Sequence, residues 1–197
     1  TLSLHEALPI FSKYPYYDGE SGNFQKENDS IEYGNIMRFD VENHFLYSNN
    51  NIFGNHLKAK FRPFQYFYIQ TDYRELLEKN VFTNRFSNLS LFQFNVAYDR
   101  IRFKKFNLGW TLGATYVGND VQKAGFSYGL HTDIFAIKNI SFNSAMMWSK
   151  INGLPVNSFE LRGKYHKKNY FFSLGYEHLK IASPNYNFVT LGTGIYF

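Results

Sequence analysis

Three side chains in one stretch, Ser127, His131 and Asp133, are of the types that build an acyl-transfer relay. They supply a hydroxyl nucleophile, an imidazole base and a carboxylate to orient the base. Their even spacing sets all three on one face of an extended segment, because side chains two apart share a face. The same spacing works against the relay. Each strand residue rises about 3.3 Å, so residues two apart are separated by about 7 Å. The relay needs contacts of about 2.6–3.2 Å. Ser127 and His131, four residues apart, cannot touch within one straight strand. A triad would need a member from a neighbouring segment. The reading that fits the spacing is a His131–Asp133 pair inside a polar network.

Metal chemistry has less support. His44, His56, His131 and His166 share the polar phase of their segments, with Glu42 and Asp133 in the same phase. However, no HExxH-type spacing occurs, and no cysteine is present to supply a thiolate. No metal site and no cofactor are expected. No glycine-rich loop joins a strand to a helix, so nucleotide binding is not expected either. The formal charge is +5, yet the densest basic spots are the pairs Lys104-Lys105 and Lys167-Lys168. These read as solvated turn residues, and no nucleic-acid partner is expected.

The elements that must position these side chains are strands. From about residue 35, apolar and polar residues alternate with period two. In "NIMRFDVENHFLYS", Met37, Phe39, Val41, Phe45 and Tyr47 oppose Arg38, Asp40, Glu42 and His44. In "NHLKAKFRPF", Leu57, Ala59 and Phe61 oppose His56, Lys58, Lys60 and Arg62. The pattern recurs through "YFYIQTDYR", "FQFNVAYD", "LGWTLGATY", "FSYGLHTDI", "ISFNSAMMWS", "FELRGKYH", "YFFSLGYE" and "VTLGTGIYF", which makes ten strands. Tight turns are expected near 62–65, 101–106, 138–139 and 166–169. Longer loops are expected near 48–54, 75–86, 117–124, 150–158 and 179–187. Short connections at one end and longer ones at the other describe an all-β, antiparallel up-and-down transmembrane barrel.

Composition agrees. The chain is 20% aromatic, with 22 Phe and 16 Tyr, but hydrophilic on average. That excludes a disordered chain. No run of about 18 apolar residues is available for a transmembrane helix. A soluble sandwich or lipocalin-like barrel shows the same alternation. Three features favour the membrane barrel: a nearly all-large apolar face, aromatics near strand ends, and a second face mixing charges with Gly, Ser and Thr. The chain begins at Thr1 without a signal-peptide pattern, as a mature chain that has lost its leader would.

The last residues, "TLGTGIYF", resemble the terminal strand of bacterial outer-membrane β-barrels. Thr190, Gly192, Ile195 and Phe197 fall on the polar, glycine, apolar and terminal aromatic positions of that signal. The resemblance spans about residues 34–197. It implies a Gram-negative outer-membrane location, contact with outer-membrane lipid, and recognition of the last strand by the barrel-assembly machinery. It also implies a periplasmic C-terminus, with the tight turns periplasmic and the longer loops outside. Residues 1–33 would then form a periplasmic or lumen-plugging segment ahead of a barrel over 34–197.

In such a barrel the polar face lines the lumen. A first hairpin with Phe45 opposite Leu57 sets Glu42 against Lys60 and Asp40 against Arg62. The expected lumen ion network contains Arg38, Asp40, Glu42, Lys58, Lys60, Arg62, Asp133, Glu160, Arg162 and Lys164, with Asp72, Arg74, Asp99 and Glu177 also in phase. Glycines at 109, 113, 129, 175, 192 and 194 make the facing wall small. Long charged chains fill that space, or it forms a groove for residues 1–33 or a ligand. Three functional classes follow. The first is a non-catalytic barrel, as a structural or accessory subunit of an envelope-protein complex or a small binding barrel. The others are a narrow small-solute pore and an outer-membrane lipid-modifying enzyme or protease.

Overall fold

A computed structural model describes residues 38–49, 52–64, 66–79, 86–103, 105–119, 121–167 and 169–197. The segment 1–33 lies outside the described residues, as does Met37. Ten strands follow one another: β1 (Arg38–Ser48), β2 (Ile52–Arg62), β3 (Phe67–Lys79), β4 (Phe86–Phe103), β5 (Phe106–Val117), β6 (Lys123–Ile137), β7 (Ile140–Ile151), β8 (Leu154–Lys167), β9 (Tyr170–Ile181) and β10 (Asn185–Tyr196). Each pairs antiparallel with its sequence neighbours, and β1 pairs with β10 to close the barrel. The closing seam sets Val41 opposite Ile195 and His44 opposite Gly192. It ends where Phe39 and Phe197 exchange backbone hydrogen bonds of 3.2 and 2.8 Å. Closure leaves no strand edge unpaired, the condition for strands to sit in hydrocarbon.

The connections differ from those expected. At the end holding Arg38 and Tyr196, the turn end, they run from two to four residues; at the opposite, loop end, from two to six. The loop-end set is longer on average, but every strand except β1 extends further into it than alternation indicated. The segment 150–158, read as a loop, is a two-residue turn at Asn152-Gly153, with φ of 51° and 80°. Asn-Gly tolerates the positive φ that such hairpin turns require.

The first hairpin is registered two residues away from expectation. Asn43, not Phe45, faces Leu57, so Glu42 faces Lys58 and Asp40 faces Lys60. A two-residue shift keeps each side chain on its face. The physical reason lies at the loop end, where Ile52 joins the strand and is buried at 5% exposure beside Leu46. The shift also sets Arg38 opposite Arg62. The two guanidiniums turn apart, Arg38 to Asp40 and Arg62 to Asp99.

Polarity is inverted relative to a soluble protein. Leu191, Phe172 and Phe126 stand outside at 64%, 61% and 64% exposure, whereas Arg74, Arg162 and Glu177 are fully buried inside. Aromatic rings gather near both rims. Phe39 and Phe197 lie 6.1 Å apart at the turn end, and Tyr47 and Phe53 lie 5.7 Å apart at the loop end.

Candidate functional site: the filled lumen

Inward positions form three layers. The loop end is closed by apolar side chains. Leu46, Ile52, Leu76, Leu91, Val117, Ile151, Val156, Leu179 and Phe188 form one buried cluster. The alternating pattern hides it, because these residues occupy the polar phase. The available signal was a break in alternation: "FLY", "ELLE", "SLF" and "NFV" place apolar residues on both faces. Only a closed barrel brings these breaks to one level.

Below the cluster, among the described residues, seven carboxylates face the lumen: Asp40, Glu42, Asp72, Asp99, Asp133, Glu160 and Glu177. Seven cations meet them: Arg38, Lys58, Lys60, Arg62, Arg74, Arg162 and Lys164. The centre is a four-residue knot. Arg74 Nε donates to Glu177 at 2.6 Å and Arg74 Nη2 donates to Glu160. Arg162 donates to the same two carboxylates, reaching Glu177 at 2.8 Å. Lys58 Nζ donates to Glu160 at 2.7 Å and stands 3.4 Å from Asp72. His56 lies between Asp72 and Glu177, 3.0 Å from each. Lys164 donates to Glu42 at 2.8 Å. Among the described residues, Lys60 and Asp133 stand outside the ion pairs. Lys60 lies 5.8 Å from the Tyr68 ring, and Asp133 accepts the Asn143 amide at 2.6 Å.

These contacts cross the barrel. Arg74 is on β3, Glu160 and Arg162 on β8, and Glu177 on β9. Glycine also makes room on the inner wall for the ring opposite it on the neighbouring strand. A Cβ on Gly192 would stand 2.1 Å from His44 Nδ1, and one on Gly109 would stand 2.4 Å from the His131 ring. The histidine rings therefore occupy the space over these glycines.

The third layer lies toward the turn end. Arg62 donates to Asp99 at 2.6 Å, and His131 Nε2 meets the other Asp99 oxygen at 2.8 Å. Arg38 stacks over Tyr196 at 4.1 Å, and Tyr196 lies against Phe171 and His166.

The sequence-derived triad is not assembled. Ser127 Oγ donates to Asn95 at 3.0 Å, His131 pairs with Asp99, and Asp133 pairs with Asn143. In a relay the imidazole would bridge hydroxyl and carboxylate through its two nitrogens. Here His131 Nε2 holds the carboxylate and Nδ1 meets no polar partner. The physical reason is the small wall of β5: Gly113 and Gly109 let Ser127 and His131 reach Asn95 and Asp99 on β4 across it, while Asp133 faces Asn143 on the adjacent β7. His56, Glu160 and Glu177 offer ligand atoms within 4.8 Å of one another, a separation a metal ion could use. Arg74, Arg162 and Lys58 already engage those carboxylates, so an added cation would face three of the protein's own.

At the terminal strand, Thr190 is buried in the lumen, Ile195 faces outward half-buried, and Phe197 is 67% exposed at the turn-end rim.

No family model and no curated protein matches the chain. Among solved structures it is similar to the N-terminal β-barrel domain of Pseudomonas aeruginosa OprF, at 12% identity and a TM-score of 0.40, over 81% of this chain and 97% of that one. It is similar to LpxR from Salmonella typhimurium at 8% identity and a TM-score of 0.45, over 81% and 82%. It is similar to an outer membrane channel from Pseudomonas putida F1 at 8% identity and a TM-score of 0.42, over 91% and 100%. The class rests on the chain's own strand pairing and inverted polarity. Ten closed antiparallel strands, apolar outside and charged inside, make it a transmembrane β-barrel of the outer-membrane kind.

Proposed function

We propose that the chain is a non-catalytic integral outer-membrane barrel, a structural or accessory subunit of an envelope complex or a small binding barrel, whose working surface is its wall and rim. The observation that carries this reading is the filled lumen. Arg74, Arg162, His56 and Glu177 have no exposure to solvent, and Leu46 and Leu179 close the layer above them. A hydrated solute has no path past groups so buried, and water cannot reach a nucleophile among them.

The terminal strand serves assembly in this reading. Thr190, Gly192, Ile195 and Phe197 are read by the barrel-assembly machinery, which sets the C-terminus and turn end on the periplasmic side. The outward Phe197 ring and its backbone bonds to Phe39 support that role, since recognition and closure then use the same strand.

The test is conductance. Purified chain reconstituted in a planar bilayer is expected to give a trace indistinguishable from the protein-free membrane. Reproducible single-channel steps from the unmodified chain would overturn the proposal in favour of a narrow pore.

A further inference from the structure

The outer wall is uneven on the side built by β8, β9, β10, β1 and β2. Phe172 and Leu191 form a ridge there, among the most exposed large side chains of the wall. A shallow outer groove runs along each flank. One, of about 290 Å³, passes over Gly163; the other, of about 340 Å³, passes over Gly192 and is edged by Asn43 and Asn55. Gly163, on the outward phase, opens the first groove; the second lies over the Gly192 backbone, and the large residues raise the ridge beside both.

Asn43 is out of place chemically. It points outward at the middle of β1, four residues from Phe39 at one rim and four from Tyr47 at the other. Neither its amide nor that of Asn55 makes a hydrogen bond to any described residue. Two outward threonines, by contrast, are satisfied within the sheet. Thr193 Oγ1, opposite Asn43, donates to the Phe171 carbonyl at 3.0 Å, and Thr132 Oγ1 donates to that of Asn107 at 2.7 Å. Hydrocarbon offers an amide no partner, so an unpaired one at mid-membrane depth is costly unless another polar surface covers it.

We propose that this wall is a homodimer interface. A second copy of the chain docks across a two-fold axis, the Phe172–Leu191 ridge of each copy seated in the Asn43-edged groove of the other. The patch carries its own complement. Ridge and groove lie side by side, and an asparagine amide is both donor and acceptor, so the surface that best matches this one is itself. A lipid acyl chain would fill the groove but would leave both amides unpaired.

The inference deepens the reading that the wall is the working surface, and the two fail separately: a conducting barrel would sink the closed-lumen proposal without touching the dimer. The full chain has no cysteine, so single replacements give unique thiols. Asn43→Cys and Leu191→Cys are placed in the proposed interface and Leu112→Cys on the outer face of β5, and each is treated in outer-membrane vesicles with a short bismaleimide. A product of twice the monomer mass, at least tenfold stronger from the first two sites than from Leu112→Cys, is expected. The Asn43→Leu/Asn55→Leu variant is expected to lower the dimer fraction in detergent sedimentation about tenfold while keeping the heat-modifiable mobility of a folded barrel. Monomer at every site, equal cross-linking at all three, or an adduct of another mass would overturn the proposal. Leu191→Cys leaves both amides intact and so tests it even if the leucine variant does not fold.

Discussion

Each long charged chain of the lumen depends on several others. Glu177 takes hydrogen bonds from Arg74 and Arg162 and lies 3.0 Å from His56. Replacing it with leucine leaves two guanidiniums short of an acceptor where no water reaches. Breaking a buried pair from one side typically costs about 3–5 kcal/mol. Urea unfolding of Glu177→Leu in lipid vesicles, followed by Trp110 and Trp148 fluorescence, is expected to register a loss of that order. The Arg74→Met/Glu177→Leu double variant is expected to lose less than the two single variants summed, because the pair is removed together. The glycines that admit these chains are as restrictive. A Cβ on Gly113 would stand 2.0 Å from the Phe94 carbonyl oxygen, a backbone atom that cannot rotate away. Gly113→Ala is expected to cost about 1–3 kcal/mol in the same assay, as overpacking does. Alternation alone made the inward phase of Glu177 and Arg74 legible. Their partnership was not, because 103 residues separate them and register relates only adjacent strands.

At the scale of elements, turns and rims decide the register. The Asn152-Gly153 turn holds β7 and β8 together with two positive φ angles. Gly153→Val places a β-branched residue at φ 80°, where a side chain costs about 1–2 kcal/mol. Asn152→Gly is expected to be close to neutral, since glycine accepts the same angle. Chemical denaturation of the two variants side by side separates conformational strain from loss of a side chain. The Asn-Gly pair is a turn signal that alternation alone passes over. Its loop was read too long because Ile151 and Val156 break the outward-apolar rhythm. They break it because the loop end of the lumen is apolar: Ile151 is buried in the cluster with Leu46 and Ile52. The same layer pulls Ile52 into the first hairpin and moves its register by two.

For the whole molecule, closure turns ten marginal ribbons into one unit. The apolar layer is the seal, and Phe188 is its largest fully buried member. Phe188→Ala is expected to destabilise the barrel by about 3–5 kcal/mol. It is not expected to open a conducting path, because the ion pairs beneath remain. A bilayer recording of this variant without channel steps, together with its lowered urea midpoint, checks both halves of the expectation.

What the sequence by itself determined was the all-β class, the number of strands and which side chains share a face. Those follow from a period of two, which is local and survives errors of register. Tertiary structure decided which partners the charges take and that apolar side chains gather at the loop end of the lumen. Ring closure sets β3 across from β8 and β9, and no pattern along one strand encodes that distance. It also separated Ser127, His131 and Asp133 by giving each another partner: Asn95 and Asp99 on β4, reached across the β5 glycines, and Asn143 on the adjacent β7. Finally, it set Asn43 and Asn55 beside the Phe172–Leu191 ridge, since β1 meets β10 only when the barrel closes.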